Sequence, residues 1–450
     1  MRVNNRNIIL AFCLLVIVFN TFFGIILIGD KRELTSLNSS HVPISINGNL
    51  ELELFCDIGN GTSENPYIIE ELSINASSNA GIRLLNINSH LIIRNCIIEG
   101  GNSNFPGIQI DSCIRISIIN CQLINNSDGI ILSFSGNCSI LNNSCINNEN
   151  NGITLMESNN NLLRGNNCSM NYINGIEIGG SQNNLITNNL CLNNHDAGIF
   201  DICSLYNTYS DNDCFENSGN GIKINSDNIT LIQNNCSQNK ENGIFINLRL
   251  YNISIFQNYC FNNSFNGILI NENDGFFASF LYVGNIIQNE CKYNHRNGIY
   301  IHSSINKTIS NNICVKNLLH GLYIYNSSNT LIKTNFCSFN SQIGIKANLG
   351  INISIQLNNI ENNYIGILIE NSNNGFIKYN NLNANNLCIL GQNCENIKIE
   401  FNYCDGLLQK NPEINSFSVY LLITGVIFGI LIYIRFIMPK QTNVISLQKR

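Results

Sequence analysis

Charged residues are scarce in this chain and make up 12% of its 450 residues, about half the usual share. The formal net charge is −6 and no basic stripe is present, so a nucleic-acid partner is not expected. Only 4 methionines occur, and two of them, Met1 and Met438, lie at the chain ends, which argues against a methionine-rich copper site. Asparagine instead supplies about a fifth of the residues and most of the polar surface.

A repeat of about 23 residues runs from Cys96 to Cys404. Its template is an aliphatic residue, two variable residues, Asn, one variable residue, Cys, two variable residues and Asn, followed by Gly-Ile-x-Ile. A fixed period of this length is typical of a solenoid, in which each repeat contacts only its neighbours. Because the asparagines are phased against Ile and Leu, a disordered low-complexity tract is not expected.

Each repeat contains short runs of alternating apolar residues separated by Asn and Gly, a pattern that predicts strands and turns. Strands that recur at a fixed period and stack on their own copies predict an all-β, single-stranded parallel β-helix with coils ~4.8 Å apart. About fourteen coils are expected between Ile68 and Cys404. The alternation of Ile and Leu over 44–55 predicts cap strands at the N-terminal end.

Two residue types are predicted to form columns along the solenoid. The Asn two residues before each Cys is expected to adopt left-handed turn geometry and to bond its copies in neighbouring coils. The cysteines are expected to be buried and reduced, because Ile360 and Leu382 replace them in two repeats. In-register Cβ atoms ~4.8 Å apart also exceed the usual ~3.5–4.5 Å of a disulfide. The predicted cysteine column is Cys96, Cys121, Cys145, Cys168, Cys191, Cys214, Cys236, Cys260, Cys291, Cys314, Cys337 and Cys404. The predicted asparagine column is Asn143, Asn166, Asn189, Asn212, Asn234, Asn258, Asn289, Asn312, Asn335, Asn358, Asn380 and Asn402, with a second one from Asn148 to Asn363.

A family resemblance rests on Gly61-Thr62 and Pro66-Tyr67-Ile68-Ile69, followed by the N-x-C and N-G-I-x-[IL] repeats. This pattern resembles the right-handed β-helix repeat proteins of archaeal and bacterial cell surfaces, which are grouped with the NosD-like family and with the carbohydrate-binding and sugar-hydrolase β-helices. The resemblance covers about residues 59–405 and implies a right-handed coil. It also implies a role toward glycans or in copper handling. The matching positions are all scaffold positions, so the resemblance assigns no site residue.

Hydrophobic segments at both ends predict targeting to a membrane. Residues 8–29 follow two arginines and predict a signal peptide, whose removal is expected, or an N-terminal anchor. Residues 417–438 are long enough to span a bilayer. Basic residues outside both segments place the β-helix outside the cytoplasm, where N-x-[ST] sites could carry glycans. The predicted organisation is 1–30 signal peptide or anchor, 31–58 linker and cap strands, 59–405 β-helix, 406–416 juxtamembrane linker, 417–438 transmembrane helix and 439–450 cytoplasmic tail.

The scaffold offers few groups for chemistry. Thiolates suit Cu(I) or zinc, but no CxxC pair occurs and no His recurs beside the cysteines, so neither a metal nor another cofactor is predicted. Sugar hydrolysis needs paired carboxylates, and no two carboxylates occupy neighbouring x positions of Gly-Ile-x-Ile. A carbohydrate-active enzyme therefore stays an alternative to the leading hypothesis.

One group of aromatic residues predicts a binding site. Tyr300 and His302 of one coil are expected to lie beside Tyr323 and Tyr325 of the next, and we call these four residues the aromatic shelf. The repeat that precedes Gly298 is longer than its neighbours, and its extra residues are rich in aromatics. Aromatic side chains with polar tips suit sugar rings or a partner protein. The predicted ligand-binding residues are Tyr300, His302, Tyr323, Tyr325, Phe276, Phe277, Phe280 and Tyr282.

The leading hypothesis is a membrane-anchored, extracytoplasmic β-helix that binds glycans or envelope proteins. The first alternative is a polysaccharide lyase or hydrolase, and the second is a NosD-like copper-handling accessory protein. The sequence predicts no oligomeric state and does not identify the ligand.

Overall fold

The computed structural model describes residues 41–247, 252–271 and 284–405, together with the backbone of Leu407–Lys410 and Val419–Leu421. The described residues confirm the predicted all-β solenoid of about 14 turns, with about 23 residues per turn. All strand pairs of the described residues are parallel, and strands pair with their copies in neighbouring coils. Each coil has three faces, here called face 1, face 2 and face 3 in chain order.

The strands have the following bounds. Face 1 comprises Tyr67–Glu70, Leu91–Arg94, Ile116–Ile119, Ser139–Leu141, Leu162–Arg164, Leu185–Thr187, Thr208–Ser210, Thr230–Ile232, Ile253–Phe256, Gly284–Ile287, Lys307–Ser310, Leu331–Lys333, Ile351–Gln356, Asn373–Lys378, Glu395–Cys404 and Val419–Leu421. Face 2 comprises Ser73–Asn75, Ile97–Glu99, Gln122–Ile124, Ser144–Ile146, Leu190–Leu192, Asp213–Phe215, Tyr259–Phe261, Glu290–Lys292, Ile313–Val315, Phe336–Ser338, Asn359–Glu361, Asn381–Asn383 and the end of Glu395–Cys404. Face 3 comprises Ile44–Asn47, Ile82–Leu85, Ile108–Asp111, Ile130–Ser133, Ile153–Met156, Ile176–Gly179, Ile199–Leu205, Ile222–Asp227, Ile244–Asn247, Ile268–Asn271, Ile299–His302, His320–Tyr325, Ile343–Asn348, Ile365–Glu370, Leu387–Gln392 and Leu407–Lys410.

The core consists of aliphatic side chains that alternate with outward residues along the strands. On face 3 the two aliphatic residues of Gly-Ile-x-Ile are buried, as predicted; Ile176 and Ile178, for example, are 0% exposed. The same positions align from coil to coil, so that Ile178 pairs with Leu155 on one side. The side chain between the two aliphatics points outward, and face 3 therefore presents one column of variable residues to solvent.

The second half of the predicted cap is wrong. Ile44–Asn47 is a strand of face 3, but the residues after it form an α-helix, Gly48–Phe55. Leu and Glu favour helices, and the side chain of Glu51 accepts a 2.7 Å bond from the Asn47 N–H at the helix start. Only Leu52 of this helix is buried. The alternation of Leu and Glu thus reflects a two-turn helix with one core contact and not a strand.

The asparagine ladder is present in the predicted column. In a representative coil, Asn189 Oδ1 accepts bonds from the backbone N–H (3.0 Å) and Nδ2 (2.9 Å) of Asn166. Asn189 Nδ2 in turn donates to the Leu163 carbonyl and to Asn212 Oδ1, both at 3.0 Å. The prediction that the ladder residue itself is left-handed is wrong. The left-handed residue is the one before it, such as Asn188 (φ 53°). The ladder side chain satisfies the backbone groups that this turn leaves without partners.

A third asparagine ladder precedes the glycine of Gly-Ile-x-Ile and was not predicted. Asn151 Oδ1 accepts a 3.0 Å bond from the Asn174 N–H, and the same pattern continues through Asn242 and Asn266. Its bonds run in the opposite direction along the solenoid from those of the other two ladders. These asparagines border the outer surface of face 3, which places amide groups beside any ligand bound there.

The cysteine column differs from the prediction at both ends. Residues from Cys145 to Cys337 align in register on face 2 and are buried with free thiols, as predicted. Cys96 and Cys121 are also buried and free, but they lie in the ladder column, since the Cys121 N–H donates to Asn143 Oδ1. The cysteine column itself continues through Leu123, which pairs with Cys145. An offset of two residues in the early repeats causes this error.

Cys404 is not a free thiol, because it forms a disulfide with Cys388 on face 3. The prediction considered only neighbours within one column. Elsewhere the position of Cys388 is occupied by glycine, and a Cβ placed on Gly198 would lie 2.9 Å from the Cβ of Cys214 in the next coil. A cysteine at the glycine position therefore reaches the next cysteine of the column, 16 residues later in the chain, as Cys388 does.

The predicted hydrophobic terminal segments fall mostly outside the described residues. Of residues 417–438 only Val419–Leu421 is described, as a short strand paired with the end of face 1. In the described part of the chain, no helix has both the length and the apolar character needed to cross a membrane. Signal peptide, transmembrane helix and cytoplasmic tail therefore stay predictions.

Candidate functional site

The aromatic shelf forms on the outer surface of face 3. Tyr300 pairs with Tyr323 and His302 pairs with Tyr325 in adjacent strands. The tyrosine rings are 4.8 Å apart and 8° from parallel, and the rings of His302 and Tyr325 are 5.2 Å apart and 7° from parallel. All four side chains are half-buried. The structure thus brings together the four described residues that the sequence predicted for this site.

The rings stack on one another along the solenoid, so their faces are not free for a ligand. Tyr300 lies between Leu269 and Tyr323 in its column, and the Lys346 ammonium lies 5.3 Å from the Tyr323 ring centre. The shelf presents ring edges and polar tips, which favours hydrogen bonding over ring stacking with a ligand.

Polar groups continue the His302–Tyr325 column of the shelf on both sides, and Lys346 continues the other column after Tyr323. Asn271 Oδ1 lies 2.7 Å from His302 Nδ1, and Asn348 follows Tyr325 in register. Lys346 pairs with Glu370 across 3.1 Å, and both side chains are about four-fifths buried, with 18% and 20% exposed. The cation beside the tyrosines is therefore neutralised locally, and amides flank the aromatic rings on both sides.

Burial also changes the titration of the shelf. Burial, with smaller effects from Tyr323 and Tyr325, raises the pKa of the Tyr300 hydroxyl to about 12. Burial raises the pKa of Tyr323 as well, against the opposing hydrogen bond from Asn348. These hydroxyls stay protonated at neutral pH and can each donate one hydrogen bond and accept others.

His320 closes one side of the shelf at the end of the third asparagine ladder. Its ring meets the Tyr323 ring edge-on at 5.4 Å, and its backbone N–H donates to Asn297 Oδ1. Burial, and then the charge of Lys346, lowers the pKa of His320 to about 4. The imidazole is thus neutral at pH 7, and its buried Nδ1 has no hydrogen-bond partner among the described residues. The His320 side chain is only 7% exposed, so it packs against Tyr323 and does not offer this nitrogen to a ligand on the surface.

The remaining predicted site residues, Phe276, Phe277, Phe280 and Tyr282, lie outside the described residues. They belong to the residues added between the strands Ile268–Asn271 and Gly284–Ile287. Their contribution to binding stays a prediction.

Two carboxylates, Asp128 and Glu177, are linked by hydrogen bonds through Asn151 and Thr154. Glu177 Oε2 accepts bonds from Asn151 Nδ2 (3.0 Å) and Asn174 Nδ2 (3.1 Å), and Asp128 Oδ1 accepts a 2.9 Å bond from Thr154 Oγ1. Asn151 Nδ2 also donates to Thr154 Oγ1 at 3.2 Å. The sequence comparison covered only the outward x position of Gly-Ile-x-Ile. It did not include Asp128, which lies in the turn before the strand Ile130–Ser133.

Comparison with known proteins gives the family. Residues 51–202 and 100–277 match the family model described as periplasmic copper-binding protein (NosD), and residues 279–407 match that of the right-handed β-helix region. The chain belongs to the NosD-like family of right-handed β-helix proteins. The resemblance found in the sequence is thereby confirmed. No curated protein sequence matches the chain.

Solved structures share the fold at low identity. A mutant of the periplasmic alginate epimerase AlgG is 14% identical, with 74% of this chain and 84% of that one covered and a TM-score of 0.39. The mannuronan C-5 epimerase AlgE6 A-module of Azotobacter vinelandii is 11% identical, with 78% and 90% covered and a TM-score of 0.40. The catalytic domain of a GH87 α-1,3-glucanase is 12% identical, with 85% and 62% covered and a TM-score of 0.35. Likenesses at this level do not bear on the activity of this chain.

The family description raises the question of copper, and the cysteine column is the natural donor set to test. Copper(I) prefers thiolates, and burial raises the pKa of Cys214, Cys260 and Cys314 well above the ordinary value. These thiols are protonated and fully buried. Among the described residues, no three His, Cys, Asp or Glu side chains are grouped around a position for a metal ion. The described residues of this chain do not fit copper.

Proposed function

We propose that the protein is a membrane-anchored, extracytoplasmic β-helix that binds a glycan at the aromatic shelf. The family is a periplasmic one, which supports a location outside the cytoplasm. The supporting observation at the site is the pair of aromatic columns, 4.8 and 5.2 Å between ring centres, flanked by Asn271 and Asn348.

The chemistry of the shelf suits a neutral, hydroxyl-rich ligand. Phenol hydroxyls and amides can donate or accept bonds to sugar hydroxyls, and the ring edges supply apolar contact. Lys346 is paired with Glu370, so it gives little attraction to a carboxylate on the ligand. Strands ~4.8 Å apart repeat these groups along the solenoid, which matches an extended ligand that lies parallel to its axis.

The direct test is a glycan array probed with the full-length protein, followed by titration of the glycans that bind. We expect neutral oligosaccharides to bind and polyuronates to bind more weakly. The variant Y300F/Y323F/Y325F keeps the stacked rings and removes three hydroxyls, so its affinity should fall at least tenfold. The control variant Y172F removes a hydroxyl from an exposed ring far from the shelf and should bind normally. Binding that is unchanged in the triple variant would refute the assignment of the site.

A second candidate function is a carbohydrate-active enzyme, favoured by Asp128 and Glu177, which are linked by hydrogen bonds through Asn151 and Thr154. A pair of carboxylates is the usual equipment for glycoside hydrolysis. Incubation of the full-length protein with neutral and acidic polysaccharides tests it. Turnover that is lost in E177Q would establish an enzyme. If no polysaccharide is turned over, binding remains the only supported function.

A further inference from the structure

The corner between face 1 and face 2 changes character toward the C-terminal end of the solenoid. One residue per coil at this corner has a positive φ, and its type can be compared along the whole chain. In most coils it is a residue that tolerates this conformation or carries a polar side chain. In chain order these residues are Glu71, Asn95, Asn120, Asn142, Gly165, Asn188, Asp211, Gln233, Gln257, Gln288, Asn311 and Thr334.

In the last three described coils the same corner carries Leu357, Tyr379 and Phe401, with φ of 57°, 57° and 53°. Bulky side chains are unfavourable in this conformation. They are also well exposed, at 54%, 50% and 39%. Neither backbone preference nor burial in the core accounts for three consecutive apolar residues at this corner.

The three residues belong to one continuous surface. The Tyr379 and Phe401 rings stack at 5.4 Å, and Leu357 precedes Tyr379 in the same column, since the Leu357 N–H donates to the Lys378 carbonyl. Phe376, 46% exposed, adjoins them on face 1. We call Leu357, Phe376, Tyr379 and Phe401 the apolar corner.

Two lysines frame the apolar corner. The Lys378 ammonium lies 5.8 Å from the ring centres of both Phe376 and Tyr379, and the Lys398 ammonium lies 5.7 Å from that of Phe376. Such lysines cover apolar surface with their stems and keep their charges in water. Exposed aromatic rings bordered by lysines are typical of protein surfaces at the membrane–water interface.

The sequence beyond the corner indicates the same partner. The apolar segment 417–438 begins 16 residues after Phe401, and its residues Val419–Leu421 pair with the end of face 1, so a membrane-spanning part would begin after Leu421. An extended connection of that length spans at most ~55 Å, so an anchored segment would keep this end of the solenoid near the bilayer.

We propose that the apolar corner inserts into the interface of a phospholipid bilayer and fixes the C-terminal coils against the membrane. The proposal rests on the anchored form of the proposed function. It predicts that Tyr379 and Phe401 contact lipid in the full-length protein while the exposed aromatics of other coils do not.

The absence of tryptophan allows a single-site test, because any introduced tryptophan is the only one in the chain. F401W, F134W and F428W are prepared in the full-length protein and reconstituted into phosphatidylcholine vesicles with or without brominated acyl chains. Phe134 is the matched control, as an exposed aromatic at a positive φ in a distant coil. Phe428 reports whether the segment 417–438 enters the bilayer. Y379W replaces F401W if the latter does not fold.

We expect bromine to quench F428W strongly, F401W by about half, and F134W not at all. Quenching of F428W without quenching of F401W would overturn this proposal and leave the anchor intact. Quenching at neither position would overturn both. A blue-shifted F401W emission that bromine does not quench would identify a protein partner at the corner and also overturn it. The variant L357N/Y379N/F401N, which restores polar residues to the corner, should melt normally and leave the quenching of F428W unchanged.

Discussion

The cysteine column inside face 2 and the outward column of face 3 arise from the same coils but follow opposite rules. Inside, one residue type recurs from Cys145 to Cys337, and the neighbouring ladder keeps Asn from Asn143 to Asn402. Outside, the equivalent position changes from Glu177 to Tyr300 to Lys346. The residue type is repeated where a side chain must pack against its own copy in the next coil. It varies where the side chain faces solvent or a ligand. Stability should therefore reside inside and specificity outside.

The largest effect should come from an inner ladder residue. Asn189→Ala would leave the N–H and Nδ2 of Asn166 and the Leu163 carbonyl without their partner and would open a small cavity. We expect a loss of about 3–5 kcal/mol in the free energy of unfolding. Denaturant unfolding measures it, with Asn235→Ala as a control outside the ladders. A loss below about 1 kcal/mol, the size of one ordinary hydrogen bond, would show that the ladder contributes little.

An intermediate effect is expected in the cysteine column. Cys214→Ser places a hydroxyl in an apolar core and should cost about 1–3 kcal/mol. In the native protein, a thiol reagent should label the exposed Cys203 quickly and the column cysteines only after unfolding. Rapid native labelling at more than a few sites, or no labelling of the column after unfolding, would contradict buried free thiols.

A smaller, pH-dependent effect should come from Asp201, which occupies a core position of face 3 that is aliphatic in neighbouring coils. Burial raises the pKa of this carboxyl, although bonds from Tyr209, Ser204, Asn207 and Ser226 oppose the change. The folded state then holds the proton more tightly than the unfolded state. The stabilising contribution is complete below the unfolded pKa of ~3.9 and is lost as the pH rises through the folded pKa. Asp201→Asn should remove this component from a plot of stability against pH, and an unchanged plot would contradict it.

The smallest effect on stability should come from the shelf. Y300F/Y323F/Y325F keeps the ring stacking and removes only half-exposed hydroxyls, so the free energy of unfolding should change by less than about 0.5 kcal/mol. Thermal melting measures it. A loss comparable to that of Cys214→Ser would mean that the tyrosines serve the fold.

The repeat alone was enough to predict the solenoid, the buried aliphatic pairs and the ladders, because each coil repeats the same local constraint. Exceptions to the repeat were not predictable in the same way. The position of Cys121 depends on a two-residue offset between early and later repeats. The disulfide of Cys388 forms because the glycine position that it occupies on face 3 lies beside the cysteine column of face 2. Both are relations between faces, which a one-dimensional template does not contain.

The site shows the same limit. Spacing placed Tyr300 beside Tyr323, since residues at equivalent positions align across parallel strands. Spacing did not give the orientation of the rings, because stacking along the column decides which groups reach solvent. It placed His320 in a turn beside the shelf but not its contact with Tyr323, which depends on the end of a ladder that is visible only in three dimensions.

The most direct test of the division between inner and outer columns measures glycan affinity and unfolding free energy on the same two variants, C214S and Y300F/Y323F/Y325F. The account predicts that C214S loses about 1–3 kcal/mol of stability and, while folded, binds the glycan normally. It predicts that the triple variant melts normally and binds at least tenfold more weakly. The opposite pattern, or both losses together in either variant, would contradict it.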